Sequence, residues 1–312
     1  MKSTDNNAYL IDEDLAQMQT IFRHLLILLT LLITSATTSA ATDSIATLRP
    51  VTAAYMLEIG SSHISDTYLT PLKYTGWTTA FSYERMQAMK FNPERWVIRL
   101  ATTIEMDKAD NPVKNSSLWY LGLDVSWGMT HRWKLANDIT LAAGGSTAVD
   151  LGCIYSERNG NNPASAKAAW TLNLTAYASW NVNIGSLPVT LRYQPTLPVT
   201  GVFFSPDYGQ LYYEIYLGND SGLAHAAWWG NYFAMENLLT ADLHLSSTCL
   251  RLGYRNNILS TKVNNITTRM ANHSFVVGLS GEWIGISSRK SMPEKARIIS
   301  ALYKFKNIYQ ML

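Results

Sequence analysis

The feature that most constrains this chain is a two-residue period sustained over long stretches. Between Glu94 and Met106, the residues Trp96, Ile98, Leu100, Thr102, Ile104 and Met106 fall on one side. Arg95, Arg99, Thr103 and Glu105 fall on the other. Successive side chains of a strand point to opposite faces, so this pattern is a strand with one apolar and one polar face. The same alternation recurs around Trp77–Glu84, Trp119–Met129, Trp170–Trp180 and Phe275–Trp283. Soluble strands usually run to about five or six residues, and these are longer. Tryptophans mark the ends of the apolar faces, at Trp77, Trp96, Trp119, Trp127, Trp170, Trp180 and Trp283. An amphipathic ring in that place sits at a membrane–water boundary. The opposite faces carry charge, which a sandwich core would not tolerate unpaired. The pattern predicts an all-β fold, an antiparallel transmembrane β-barrel with a polar lumen.

Composition agrees and removes the competing classes. Charged residues make up 15% of the 312 residues, against about 25% in ordinary soluble domains. Apolar residues reach 47%, and Trp and Tyr together number 27, so the chain is not disordered. A formal charge of +2 gives no basis for a nucleic-acid partner. Cys153 and Cys249 alone cannot make a disulfide scaffold. Beyond Leu25–Ile33 no apolar run approaches the ~18 residues of a membrane-spanning helix. A closed barrel is then the membrane architecture left.

The N-terminus reads as an export signal. Arg23 and His24 precede the nine-residue apolar run Leu25–Ile33, and small residues follow from Thr34 to Ala41. This is the order of a cleaved secretory signal, with the cut after Ala40 or Ala41. Met18 is the better start, because residues 1–17 are polar and acidic. The expected organisation is a signal region over 1–40, a barrel domain over 41–286 and a basic tail over 287–312. The tail carries a net +5, and Ile298, Leu302, Phe305 and Tyr309 share one face of a possible helix over Pro293–Leu312.

Ten strands are expected, near 52–60, 75–89, 94–107, 117–130, 135–152, 168–183, 187–202, 230–245, 248–260 and 273–286. Short links (Lys90–Pro93, Thr130–Leu135, Ile184–Pro188, Ser246-Ser247) alternate with long ones (Ser61–Tyr74, Asp107–Ser117, Tyr155–Lys167, Phe203–Trp229, Ser260–Asn272). Short periplasmic turns and long outer loops are the habit of such barrels. Gln210–Leu217 reads as a further strand, which with a partner would make twelve. A turn at Ser246-Ser247 sets Leu243 against Leu250, Ala241 against Leu252 and Leu239 against Tyr254 on one face, and Asp242 against Arg251 on the other. A slip of one residue would lose both matches.

The segment Asp66-Thr67-Tyr68-Leu69-Thr70-Pro71, followed by Tyr74 and Gly76, resembles an uncharacterised family of Bacteroidota outer-membrane proteins. That family carries Asp-Thr-Tyr-Leu-(Ser/Thr)-Pro, then Tyr and Gly, after a first strand. Gly201–Ile215 and Asn272–Leu279 are similar to it as well. The resemblance spans about Ala53 to Ile286. It implies a barrel in the bacterial outer membrane, with membrane lipid and the barrel-assembly machinery as partners, and no settled activity. The 26 residues after Ile286 depart from it, since such barrels usually close on an aromatic of the last strand.

The charges Glu58, Glu84, Arg95, Arg99, Glu105, Asp124, Arg192, Glu236, Asp242, Arg251, Arg255 and Glu282 are expected on the lumen face. They suit a charged channel or ion pairs filling a narrow barrel. Small barrels of about eight strands are filled by side chains, so ten strands favour filling. Asp66, Tyr68, Pro71, Tyr74, Gly76 and Glu214 are candidates for a rigid loop that binds a ligand, or for residues that shape the turn into the second strand. His63 with Ser65, His225 with Ser221 and His273 with Ser274 lie in or beside outer loops. A hydrolase needs its nucleophile and base within hydrogen-bond reach, and no spacing here matches a known signature. No catalytic residue, metal site or cofactor is assigned, because two cysteines and scattered histidines give no ligand spacing. Cys153 should sit near the outer rim and Cys249 near the periplasmic rim. An apolar band of about 25 Å separates the rims, and a disulfide needs Cα atoms within roughly 7 Å, so both thiols should be free. The functional expectation is a non-enzymatic structural or surface-binding barrel, or a minor solute path. The alternative is a lipid- or envelope-modifying hydrolase on the same scaffold.

Overall fold

The computed structural model describes residues 46–135, 138–160, 162–219, 221–245, 248–284 and 296–303. The signal region, the Ser246-Ser247 turn and Ile286 lie outside the described residues.

Ten long strands close on one another. They are β2 (Val51–Asp66), β3 (Tyr74–Ala88), β4 (Trp96–Asp110), β5 (Ser117–Lys134), β6 (Ile139–Ser156), β7 (Ala164–Ile184), β8 (Leu187–Phe204), β10 (Tyr232–His244), β11 (Cys249–Val263) and β12 (Ile266–Trp283). Each pairs antiparallel with the next, and β12 returns to β2 through Phe275↔Ile59 and its neighbours. Three short strands, β1 (Ala46–Leu48), β9 (Ala224–Ala227) and β13 (Ala296–Ile298), and one short helix complete the described chain. Closure pairs nearly every strand edge, and that is why a sheet can survive in lipid.

The two faces of each strand are sorted as the alternation requires. Leu57, Ile59, Ile104, Leu123, Leu172, Leu239, Val277 and Leu279 are exposed, while Arg192, Asp242 and Arg251 inside the barrel are at or below 1%. An apolar surface outside and a charged interior is the inverse of a soluble protein, so the exterior is a lipid-facing wall. Trp77 packs edge-on against Trp119, with centroids 6.3 Å apart, toward the end of the barrel that carries the longer connections. Trp180 and Trp283 stand at the opposite, short-turn end.

The β10–β11 register matches the sequence reading residue for residue, with Asp242↔Arg251, Leu243↔Leu250, Ala241↔Leu252 and Leu239↔Tyr254. Both cysteines are free. Cys153 lies near the loop end of β6, and Cys249 opens β11 at the turn end.

The expected ten strands are present. Four expectations are corrected. Gln210–Leu217 is not a strand: Tyr212–Tyr216 forms one turn of helix (α1), and the Glu214 carboxylate accepts the Leu211 N–H at its start, 3.1 Å. The long link expected over Ser260–Asn272 is strand almost throughout. β11 and β12 turn on Asn264-Asn265, whose φ angles of 52° and 60° are left-handed, the geometry of a tight two-residue hairpin. β2 likewise runs to Asp66 rather than stopping near residue 60. In both places the strand rises past the apolar band, so its outward residues turn polar and the alternation fades. Arg95 is exposed in the link between β3 and β4 rather than in the lumen. It precedes the first strand residue, Trp96, so the wall does not orient it.

The tail also differs from its expected helix over the described part. Ala296–Ile298 pairs parallel with Ala46–Leu48, and residues 299–303 enter the turn end of the barrel. The remaining tail residues lie outside the described ones.

The sorting of faces makes a direct prediction. Arg in place of Leu172, near the middle of β7, should cost about 2–4 kcal/mol in folding into lipid vesicles. Arg in place of the neighbouring Asn173, which faces the lumen, should cost far less. Equal costs measured by denaturant titration would contradict the orientation.

Candidate functional site

The lumen is built in layers, starting from the turn end. There the chain itself forms a stopper. Arg132 donates to the Ser300 and Ala301 carbonyls at 2.7 and 2.8 Å, and to the Pro93 and Glu94 carbonyls at 2.6 and 2.8 Å. A planar guanidinium with five donors can hold four carbonyls at once. Ala301, Leu302 and Tyr303 are buried. The Tyr303 hydroxyl donates to Asp242 at 2.8 Å, and Ser300 donates to Glu282, which also accepts from Thr52 at 2.9 Å. Outside this stopper, Arg297 and Lys134 both pair with Glu94. The Lys134 hydrogen bond and the two charges hold the Glu94 carboxyl below its usual range.

Above the stopper lies an ion cluster centred on Glu84. Arg99 contacts it at 2.7 Å, Arg192 at 2.6 Å and Arg251 at 2.8 Å. Arg251 also forks onto both Asp242 oxygens, at 2.6 and 2.8 Å. Arg255 joins Glu58 and Glu236 at 3.1 Å each. Such charges survive burial because each is paired and hydrogen-bonded. The groups come from β2, β3, β4, β8, β10 and β11, so the cluster spans the bore.

At the loop end a second set of contacts closes part of the mouth. Asp66 is fully buried. It pairs with Lys167 at 2.7 Å, accepts from Ser165 at 2.9 Å and accepts the Tyr68 N–H at 2.9 Å. The Tyr68 hydroxyl donates to the Gln210 carbonyl at 2.7 Å, and its ring meets Tyr212 edge-on. Burial raises the Tyr68 hydroxyl and pushes Tyr212 up to about 12, so both remain protonated. Leu69 and Tyr74 fill the lumen beside Ile64, Leu118 and Met270. Pro71 is exposed. Gly76 faces β4 so closely that a Cβ there would lie 1.9 Å from the Lys108 carbonyl oxygen. Of the loop candidates, Asp66, Tyr68 and Tyr74 therefore come together as one packed unit. Glu214 caps its own helix.

Between the ion cluster and this lid lies a cavity of about 210 Å³. Asp124 and Asp150 stand directly opposite each other on β5 and β6, and Glu105, Glu236, Tyr120 and Asn272 share the lining. Glu236 touches Arg255 at 3.1 Å, yet its Oε1 lacks hydrogen-bond geometry. Sequence reading found Asp124, Glu105 and Glu236. It missed Asp150, because Val149-Asp150-Leu151 sits in a strand rich in glycine and alanine whose faces are hard to tell apart.

The wall beside the cavity is interrupted. β8 pairs with β10 only up to Thr196↔Glu236, and with β9 from Gly201↔Ala227 onward. Residues 197–200 therefore have no ladder partner on that side, about 13 Å of strand at ~3.3 Å per residue. Pro198 lies in this stretch and has no N–H to give a ladder. Opposite β7 the register slips between Leu172 and Asn173. Chain 228–231 turns back on itself, and the Trp229 indole donates to the Pro198 carbonyl at 2.5 Å. Thr196, Pro198, Phe203 and Met235 line both the break and the cavity.

In two of the three His/Ser candidates the histidine takes another partner. His63 and Ser65 lie on the outward side of β2. The His225 ring faces the Ser205 carbonyl at 3.1 Å, and His273 faces the Tyr254 hydroxyl at 2.5 Å. Among the described residues, no three His, Cys, Asp or Glu side chains are placed to hold a metal ion.

The chain belongs to the DUF3316 family of proteins of unknown function, whose model matches residues 24–290. No curated protein matches it significantly. Among solved structures it is similar to the translocator domain of the autotransporter NalP from Neisseria meningitidis, at 12% identity and TM-score 0.38, covering 89% of this chain and 98% of that one. It is similar to the outer membrane protease OmpT from Escherichia coli, at 8% identity and TM-score 0.40, covering 80% and 99%. An outer membrane channel from Pseudomonas putida F1 is similar at 8% identity and TM-score 0.31, covering 79% and 100%. No activity transfers from likenesses this distant.

The cluster predicts strong coupling. Removing Arg251 alone leaves Asp242 and one side of Glu84 buried without a cation, and should cost about 3–5 kcal/mol. The double change Asp242→Asn with Arg251→Met should cost clearly less than the sum of the single changes. Additive costs in a double-mutant cycle would reject the pairing.

Proposed function

We propose that this DUF3316 protein is a non-enzymatic bacterial outer-membrane barrel that binds a small ligand from outside the cell, rather than an open solute path. The reading takes the loop end as extracellular and the turn end as periplasmic, because short links face the periplasm in such barrels. Export through the cleaved N-terminal signal and insertion by the barrel-assembly machinery follow from the same reading. The motif around Asp66 supports a Bacteroidota origin.

The observation that carries it is the vertical order of the lumen. A cavity lies on the loop side, while the Glu84 cluster and the stopper at 299–303 cross the bore beneath it. A path must be continuous to conduct, and a binding pocket needs only one mouth. Fixed ion pairs also hold the pocket walls rigid, which lowers the entropic cost of binding.

The test is conductance. Purified full-length protein in planar bilayers should show no stable ohmic current. A steady current that scales with salt would contradict the closed-bore reading and favour a solute path.

A further inference from the structure

We propose that the loop-end cavity takes a small organic cation, an ammonium or guanidinium group carried on a compact apolar body. The inference rests on reading the cavity as a ligand site and deepens it by naming the ligand's chemistry.

The charge ledger of the cavity is one-sided. Its two cations are already committed: Arg255 to Glu58 and Glu236, and Lys167 to Asp66. Glu105 receives only the neutral amide of Asn272, at 2.8 Å. Asp124 and Asp150 are direct cross-strand neighbours. Two carboxyls so placed share a proton when nothing else meets them, and both carry their charge only where a cation lies between them.

A second observation points the same way. Asn173 and Asn272 line the cavity, and their buried Oδ1 atoms lack hydrogen-bond partners among the described residues, the residues being 7% and 4% exposed. Thr196 Oγ1 is also unpartnered, at 9%. Buried acceptors are rarely left unsatisfied without a reason. Apart from the Thr196 hydroxyl and the unpartnered Arg255 Nε, these groups call for a ligand that donates N–H bonds and accepts few. A metal ion fits less well, since among the described residues three acidic or imidazole ligands do not converge. The other wall is apolar: Phe203 and Tyr232 pack with ring centroids 5.2 Å apart beside Leu259. Aromatic faces also attract a cation. A rigid body of about one ring would rest there, with its charged end toward Asp124 and Asp150.

The experiment uses the full-length protein in nanodiscs and calorimetric titration with three probes of one shape: phenethylamine, 2-phenylethanol and 3-phenylpropanoate. The amine should bind, and the alcohol and the carboxylate should bind far more weakly. Asp124→Asn and Asp150→Asn should each weaken the amine about ten- to a hundredfold, the range of a charge-assisted hydrogen bond. Retained heat-modifiable gel mobility would show that the variants are folded. Ala148→Trp, which fills the cavity, should abolish binding. If the alcohol binds as well as the amine and Asp124→Asn has no effect, the cation inference falls and the cavity reading stands. If no probe binds, or if Ala148→Trp binds the amine normally, both fall.

Discussion

Glu84 is the residue on which the interior depends. One carboxylate, buried in the bore, receives Arg99, Arg192 and Arg251 from three different strands. A barrel wall holds its strands by backbone bonds alone, and nothing in those bonds decides what fills the middle. Here the filling is electrostatic. A guanidinium moved out of water costs several kcal/mol unless it is fully met, so each Arg fixes the position of its acid, and the acid fixes the next Arg. Asp242 extends the chain of pairs from Arg251 to Tyr303 and so to the stopper. The closed bore and one-mouthed cavity that we propose both rest on that one cluster.

The wall shows the complementary principle, that order is relaxed where a site is needed. Nine of the ten strand junctions run as near-continuous ladders. The tenth, between β8 and the β9–β10 stretch, is broken at 197–200. Pro198 and the slip against β7 supply the local cause. The carbonyl left over is met by an indole instead of a backbone N–H. This break lies against the cavity rather than elsewhere on the circumference, which gives the cavity an apolar flank at Phe203 and Met235.

Much of the fold was legible in the sequence, for a physical reason. In lipid the outward face must be apolar and the period of a strand is two, so Leu172 against Asn173 or Leu243 against Asp242 fixes orientation without any long-range information. The Asp242–Arg251 pair followed from one turn position. Legibility ended where the lipid ended. The upper parts of β2 and β12 carry Ser61, His63, Ser65, Thr267, Arg269 and His273 on their outer sides and read as loop. Tyr212–Tyr216 read as strand because its aromatics mimic alternation, while its cap by Glu214 is a contact three residues away. The site was legible only as a set of charges. Which acid meets which base depends on pairing across the bore, between strands far apart in sequence, and Asp150 had no local apolar contrast to mark its face. The stopper was not legible at all, since residues 299–303 owe their place to Arg132.

The central claim is that the cavity opens to one side of the membrane only. The most direct measurement replaces Thr196 with Cys in a protein whose Cys153 and Cys249 are Ser, reconstituted in a single orientation in proteoliposomes. A membrane-impermeant thiol reagent applied from the loop side should label it, and the same reagent trapped on the turn side should not. Labelling from both sides, or from the turn side alone, would contradict the account.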